Sequence, residues 1–268
     1  MKTPHTPPAA RAPWRWAMLG GVLGLLVALV VGAPARWLSS AVRWATQERV
    51  LLQAERGTVW SGSARFTLAG GPGSQAQRSL PGRLNWRWGL AWPGLSLELS
   101  ADCCTAQALR WQLLATGEGV QLRLQDQQSS WPMGVLAGLG APWNTLEAEG
   151  RLQWQSHGLQ LHWQAQRLQW LGRTELQVQQ LTSRLSTLQP MGSYRIVLQG
   201  SAAGTPTPEL TLATEQGPLQ LQGQGQWRGQ RLRFVGEAWA DEGFEPALAN
   251  LLNIIGRRNG SRSLLSLG

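Results

Sequence analysis

The chain has 268 residues, 43% of them hydrophobic and only 15% charged, with a formal net charge of +9. That balance excludes a disordered polymer, and the length allows a sizeable core in one large domain or two small ones. The positive charge is carried by arginine apart from Lys2 and is spread along the sequence, without runs that interleave basic and stacking aromatic residues, so nucleic acid is not an expected partner.

Trp16–Ala35 is an uncharged, largely apolar run between Arg15 and Arg36. As a helix rising 1.5 Å per residue it would reach about 30 Å, the thickness of a bilayer core. Trp14, Trp16 and Trp37 flank it, where indoles favour the membrane interface. Residues 16–35 are therefore read as a single transmembrane anchor. Lys2, Arg11 and Arg15 precede it without an acidic residue, which makes residues 1–15 a cytoplasmic stub, although Arg36, Arg43 and Arg49 on the far side weaken the asymmetry. Ala33-Pro34-Ala35 has the small-x-small form of a signal-peptidase site, but its proline and the long apolar run favour a retained anchor. On either reading the remainder is exported. Residues 36–48 follow as a helical juxtamembrane stem, with Trp37, Ala41, Trp44 and Ala45 along one side, suited to a membrane surface.

From Val50 the period changes to two. Val50, Leu52 and Ala54 alternate with polar residues, and similar runs recur at Leu95–Leu99, Val120–Leu124, Leu176–Gln179, Tyr194–Leu198, Leu210–Leu212 and Leu219–Gln222. Such alternation puts one face on a core and the other, here rich in glutamine, in water. The intervals are too short for crossover helices, so residues 49–243 are expected to form an antiparallel sheet. Loops fall at Gly70–Ser74, Trp131–Gly134 and Ala202–Pro208. Gly82-Arg83-Leu84-Asn85-Trp86 recurs as Gly150-Arg151-Leu152-Gln153-Trp154 and more loosely as Gly223-Gln224-Gly225-Gln226-Trp227. Leu159-x-Leu161 and Leu232-x-Phe234 follow the last two copies, which reads as hairpins turning at Ser156-His157-Gly158 and Arg228-Gly229-Gln230, with Trp154 and Trp227 in equivalent buried positions. Chance recurrence in a chain rich in Gly, Leu, Gln and Trp is the competing reading. The expected fold is mainly β: a curved antiparallel sheet, or a sandwich of repeated hairpins, behind the transmembrane helix.

Phe244, Leu248, Leu251, Leu252 and Ile255 then mark one face of an amphipathic helix over residues 244–258, with Pro246 in its first turn and Gly256 at its end. It either caps the sheet or lies in a membrane interface with Arg257 and Arg258 on headgroups. Residues 259–268 are expected to be a flexible tail.

Catalytic chemistry is absent from the pattern. His5 lies on the stub, and His157 and His162 sit near the expected turn, where exposed polar residues are the ordinary case and a shared metal site the exceptional one. No nucleophile elbow or phosphate loop occurs, and Gly223, Gly225 and Gly229 lie in a strand pattern rather than ahead of a helix. Cys103 and Cys104 are adjacent in an exported, oxidising setting. Their Cα atoms would be about 3.8 Å apart, under the roughly 4.4 Å at which ordinary disulfides begin, so two thiols, one buried and one exposed, are expected over a vicinal disulfide or a transient intermolecular bond. No catalytic, cofactor or metal residue is assigned.

The anchor, then Gly57-Thr58-Val59-Trp60-Ser61-Gly62-Ser63-Ala64, Pro190-Met191-Gly192-Ser193-Tyr194-Arg195, the stretch Gly217–Trp227 and the closing helix with Gly256-Arg257-Arg258 resemble, in this order, protein N of the bacterial type II secretion system. The resemblance spans nearly the whole chain. It implies a single-pass protein of the cell inner membrane with its bulk in the periplasm, an accessory component of the machine that exports folded proteins across the outer membrane. The implied partners are other secretion components and inner-membrane lipids, with no enzyme activity, cofactor or small-molecule substrate. The alternative is a membrane-anchored β-groove protein that offers its apolar face to a lipid or another amphiphile. An open sheet with an uncovered apolar stripe would distinguish it from a closed sandwich.

Overall fold

A computed structural model describes residues 14–141, 143–164, 167–200, 207–228 and 231–268 of the chain. Most of the expected stub, with Lys2, His5 and Arg11, lies outside the described residues, as do Gly229 and Gln230 of the last expected turn and residues 202–206 of the expected loop.

Helix α1, Trp14–Val31, leads through Gly32 into α2, Ala35–Ala45. The apolar helix thus stops short of the expected boundary at Ala35. Ala33 and Ala35 are buried against protein, because Pro34 bridges to Thr58, the Val59 N–H donates to the Ala33 carbonyl, and Trp60 Nε1 donates to the Val30 carbonyl at 2.7 Å. Ala33-Pro34-Ala35 is a joint between helix and sheet. Among the described residues no helix is long and apolar enough to cross a membrane. From Trp16 to Val31 α1 supplies only about 24 Å of apolar length at 1.5 Å per residue.

The alternating runs form one antiparallel sheet. In chain order its strands are β1 (Val50–Gly57), β2 (Ser61–Ala69), β3 (Gln77–Ser79), β4 (Leu84–Ala91), β5 (Gly94–Ala101), β6 (Leu109–Thr116), β7 (Gly119–Leu124), β8 (Gln127–Pro132), β9 (Glu149–Gln164), β10 (Arg167–Thr182), β11 (Gly192–Gln199), β12 (Glu209–Gln216), β13 (Leu219–Arg228), β14 (Arg231–Ala240), β15 (Arg257–Asn259) and β16 (Arg262–Leu267). The spatial order is β1-β2-β4-β5-β6-β7-β9-β10-β11-β12-β13-β14-β16-β15, with β3 beside β2 and β8 beside β9. Most sequence neighbours pair as hairpins, while β2 pairs with β4, β7 with β9 and β14 with β16, and the sheet is neither closed into a barrel nor split into a sandwich. Register carries the alternation from strand to strand: Leu113, Leu122, Leu161 and Trp170 stand opposite one another, and one residue away so do Gln112, Arg123 and Gln160. The sheet therefore has an apolar inner face and a polar outer face.

One end of the inner face is covered. A 3-10 helix (Met133–Leu139), α3 (Trp143–Leu146), the chain around Leu185 and Leu188, and α4 (Glu245–Ile255) pack on Val178, Tyr194, Leu219 and Ala238. Met133, expected in a loop, is buried in this core. Leu248, Leu251 and Leu252 of α4 are buried there, each contributing about 1.5–3 kcal/mol of apolar burial. The apolar stripe of the C-terminal helix is thus spent on the protein core, which favours the capping role over an interfacial one. Residues 259–268 are not a free tail: β16 pairs with β14, and buried Ser263 donates from Oγ to the Leu252 carbonyl at 2.6 Å, satisfying one of the acceptors left at the helix end. Near the other sheet edge α2 lays Ala35 and Leu38 on Ala64 and Trp86. Trp37 and Trp44, on the side the sequence singled out, are exposed.

The expected turn at Ser156-His157-Gly158 does not form. β9 runs through it, and the register shifts there because Gly158 and Gly172 hold positive φ (+58° and +87°) opposite one another, as a bulge requires. Trp154 therefore sits in mid-strand whereas Trp227 ends β13, both half-buried, and the two are not equivalent. The first copy supplies the buried tryptophan, Trp86, whose Nε1 donates to the Thr58 and Val59 carbonyls at 3.1 and 3.0 Å.

Leu252→Ala should lower the unfolding free energy by about 2–5 kcal/mol, as truncation of a buried leucine does. Denaturant unfolding of the full-length chain measures it, and an unchanged midpoint would remove α4 from the core.

Candidate functional site

The candidate site is the inner face where its cover ends. On β4, β7 and β9 the inner-face residues are buried at one end of the strand and emerge toward the other. Exposure rises from 5% at Trp86 to 91% at Leu90 on β4, from 2% at Leu124 to 46% at Val120 on β7, and from 7% at Leu159 to 60% at Trp163 on β9. No charged residue occupies the inner-face positions of this half on β4 to β7, β9 or β10: they are Trp88, Leu90, Leu95, Leu97, Leu113, Ala115, Val120, Leu122, Leu161, Trp163, Leu168 and Trp170.

Tryptophans order the floor between the two halves. Trp111 stacks on Trp154 with centroids 6.3 Å apart, and Trp154 Nε1 donates to Thr174 Oγ1 at 2.6 Å, which in turn donates to the Gln155 carbonyl. Trp170 of β10 and Trp227 of β13 approach to 6.5 Å. Three flat inter-strand steps would separate their backbones by about 14 Å, so curvature and the reach of two indoles bring the rings together.

The outer face carries ion pairs instead. Glu175 meets Arg173 at 2.9 Å and Arg195 at 3.0 Å, Gln177 donates to it at 3.0 Å, and Arg195 also reaches Glu215. Burial raises the Glu175 pKa, but the hydrogen bonds from Gln177 and Arg173 and the positive charges of Arg195 and Arg173 outweigh it, holding the carboxyl below the usual glutamate value. On the inner face, burial pushes the Tyr194 phenol well above its ordinary range, and its hydroxyl donates to the Leu219 carbonyl. Both are structural settings: each group is locked to protein partners away from the open half.

The residues singled out in the sequence do not converge. The bulge at Gly158 puts both histidines on the outer face, yet His157 lies opposite Arg173 and His162 opposite Gln169, roughly 15 Å apart along the strand. Among the described residues no group of three or more His, Cys, Asp or Glu gathers as for a metal ion. Gly223 and Gly225 lie inside β13, where a Cβ at Gly223 would stand 2.3 Å from the Phe234 ring, so glycine here makes room for a cross-strand aromatic. Cys103 and Cys104 are joined, contrary to the expectation of two thiols. They lie in the turn after β5, not on a strand that would point them to opposite faces, with Cys104 N–H bonded to the Ala101 carbonyl. Cys104 is buried against Leu80 and Ala101 while Cys103 is exposed.

Residues 48–264 match the family described as type II secretion system (T2SS), protein N. The chain belongs to that family. No curated protein and no solved structure matches it. The matched stretch covers β1 to β15, α4 and the first half of β16, while α1 and α2 lie ahead of it. The sequence reading of this protein N member left open sheet and closed sandwich as alternatives; Leu109-x-Trp111-x-Leu113, Leu159-x-Leu161-x-Trp163 and Leu168-x-Trp170 mark the open half in the same period of two.

Because the folded Glu175 carboxyl lies below the ordinary glutamate value, its stabilising contribution is complete above that ordinary value and disappears as pH falls through the folded value. Glu175→Gln should therefore lower the melting temperature at neutral pH and converge with the wild type in acid. A gap that stays constant down the acid limb would contradict the assigned ion-pair role.

Proposed function

We propose that this protein N works as an inner-membrane accessory component of the type II secretion system, tethered through α1, with the sheet in the periplasm where folded substrates wait for export. Family membership makes it a secretion component that meets other parts of that machine. The single observation that carries the tether is the joint: α1 exposes its apolar side chains all round, while its last turn is fastened to the β1–β2 turn through Val30, Ala33 and Pro34. A helix that exposes apolar side chains all round from Trp16 to Val31, and is held by protein only at its last turn, suits lipid. Its shortfall against a full hydrocarbon core would be taken up by local thinning and by the interfacial preference of Trp14 and Trp16. The arginines ahead of the run favour a cytoplasmic N-terminus.

Contact with other secretion components suits the unpaired edges at β1 and β15 and the polar outer face, surfaces for strand addition or ion pairing rather than for chemistry. The groove reading keeps a place beside the scaffold reading, because the uncovered inner half is the stripe that a closed sandwich would have hidden.

Replacing α1 by an unrelated apolar helix should preserve export of a type II substrate, and releasing the sheet as a soluble periplasmic protein should impair it by lowering its concentration at the membrane. Substituting His157, His162, Cys103 and Cys104 together by residues of similar size should change export little. Loss of export with that variant folded and abundant would replace the scaffold with a chemical role.

A further inference from the structure

The turns at one end of the sheet form a rim. Gly57 pairs with Gly62, Ala91 with Gly94 and Thr116 with Gly119, each closing a hairpin at that end, and the strand pairs Gln164–Arg167 and Arg228–Arg231 reach the same end. This is the end where the inner face loses its cover, and α1 is fastened to the same rim through Thr58 and Trp60. The Trp88 N–H donates to the Trp60 carbonyl, and from that level β4 runs on past Leu90 to Trp92, which is 97% exposed. Two to four further residues carry this tip roughly 7–14 Å beyond the point where α1 is held.

We infer that the rim and the uncovered inner face behind it form a binding site for the acyl chains of membrane phospholipids. The inference rests on α1 as the membrane tether, since a rim fixed beside the end of a bilayer helix faces the bilayer surface. Leu90 and Trp92 then seat at the interface, where an indole is favoured. Leu113, Val120, Trp163 and Leu168 give a hydrocarbon chain a wall without charge, and the opposite end of the trough is sealed by α4 and the 3-10 helix. An apolar face of this extent left in water would be an aggregation hazard, and the apolar solute at hand where the tether ends is lipid. A soluble peptide fits less well: the wall offers no charged side chain to fix its register, and the backbone N–H and C=O groups of its strands are already taken by their neighbours.

The test is site-specific photo-crosslinking of the full-length chain in its native membrane, with a photoreactive phenylalanine analogue placed in turn at Leu168, Leu113, Gln169 and Leu23 and the adducts identified by mass. Phospholipid adducts are expected at Leu168 and Leu113 on the inner face and at Leu23 in α1, with loss of the adduct at Gln169 on the outer face. Val120→Asp should abolish the adduct at Leu168 while leaving that at Leu23. Lipid at Leu23 with only protein adducts, or none, at both inner-face positions overturns the acyl site and leaves the tether standing. Absence of lipid at Leu23 overturns the tether and the site with it.

Discussion

A single antiparallel sheet with one apolar face, and no second layer to close against, sets the terms for everything else in this protein. Each strand pair satisfies its backbone locally, so the fold can grow hairpin by hairpin. The inner side chains gain nothing from that ladder and must find cover elsewhere. The cover is uneven. α4 and the 3-10 helix seal one end, α2 seals the first strands, and the remaining inner face stays open at the rim.

The joint at Ala33-Pro34-Ala35 ties this asymmetry to function. By holding the end of α1 against the β1–β2 turn, it fixes which end of the trough lies beside α1. A flexible linker there would leave the sheet free to turn, and its open end would have no defined neighbour. The outer face, with the Glu175, Arg173, Arg195 and Glu215 network, stays polar and suited to water or to other secretion components. One sheet thus presents two chemistries.

The period of two made the strands legible, and the helical period made α4 legible, because both depend on side chains facing one core. The long strand β9 was not, because Gly158 looks like a turn residue whether it closes a hairpin or forms a bulge. Only the opposing Gly172, in another strand, distinguishes the two. β16 was missed because Leu264-Leu265 interrupts the alternation and its partner is β14, beyond the intervening α4. The vicinal disulfide was set aside on the Cα separation, yet it forms with the Cα atoms 3.7 Å apart, in a turn where no strand alternation sends the two side chains to opposite faces. The open half was written in the Trp and Leu alternation, but exposure depends on which helices cover which rows, and no local pattern records that.

Amide hydrogen exchange of the full-length chain, resolved along individual strands, tests the asymmetric cover most directly. Slow exchange is expected where β10, β11 and β13 run under α4, around Val178, Tyr194 and Leu219, with markedly faster exchange toward the rim at Val120, Trp163 and Leu168. Equal protection at both ends in the absence of lipid would mean that the inner face is closed along its whole length, and would contradict the account.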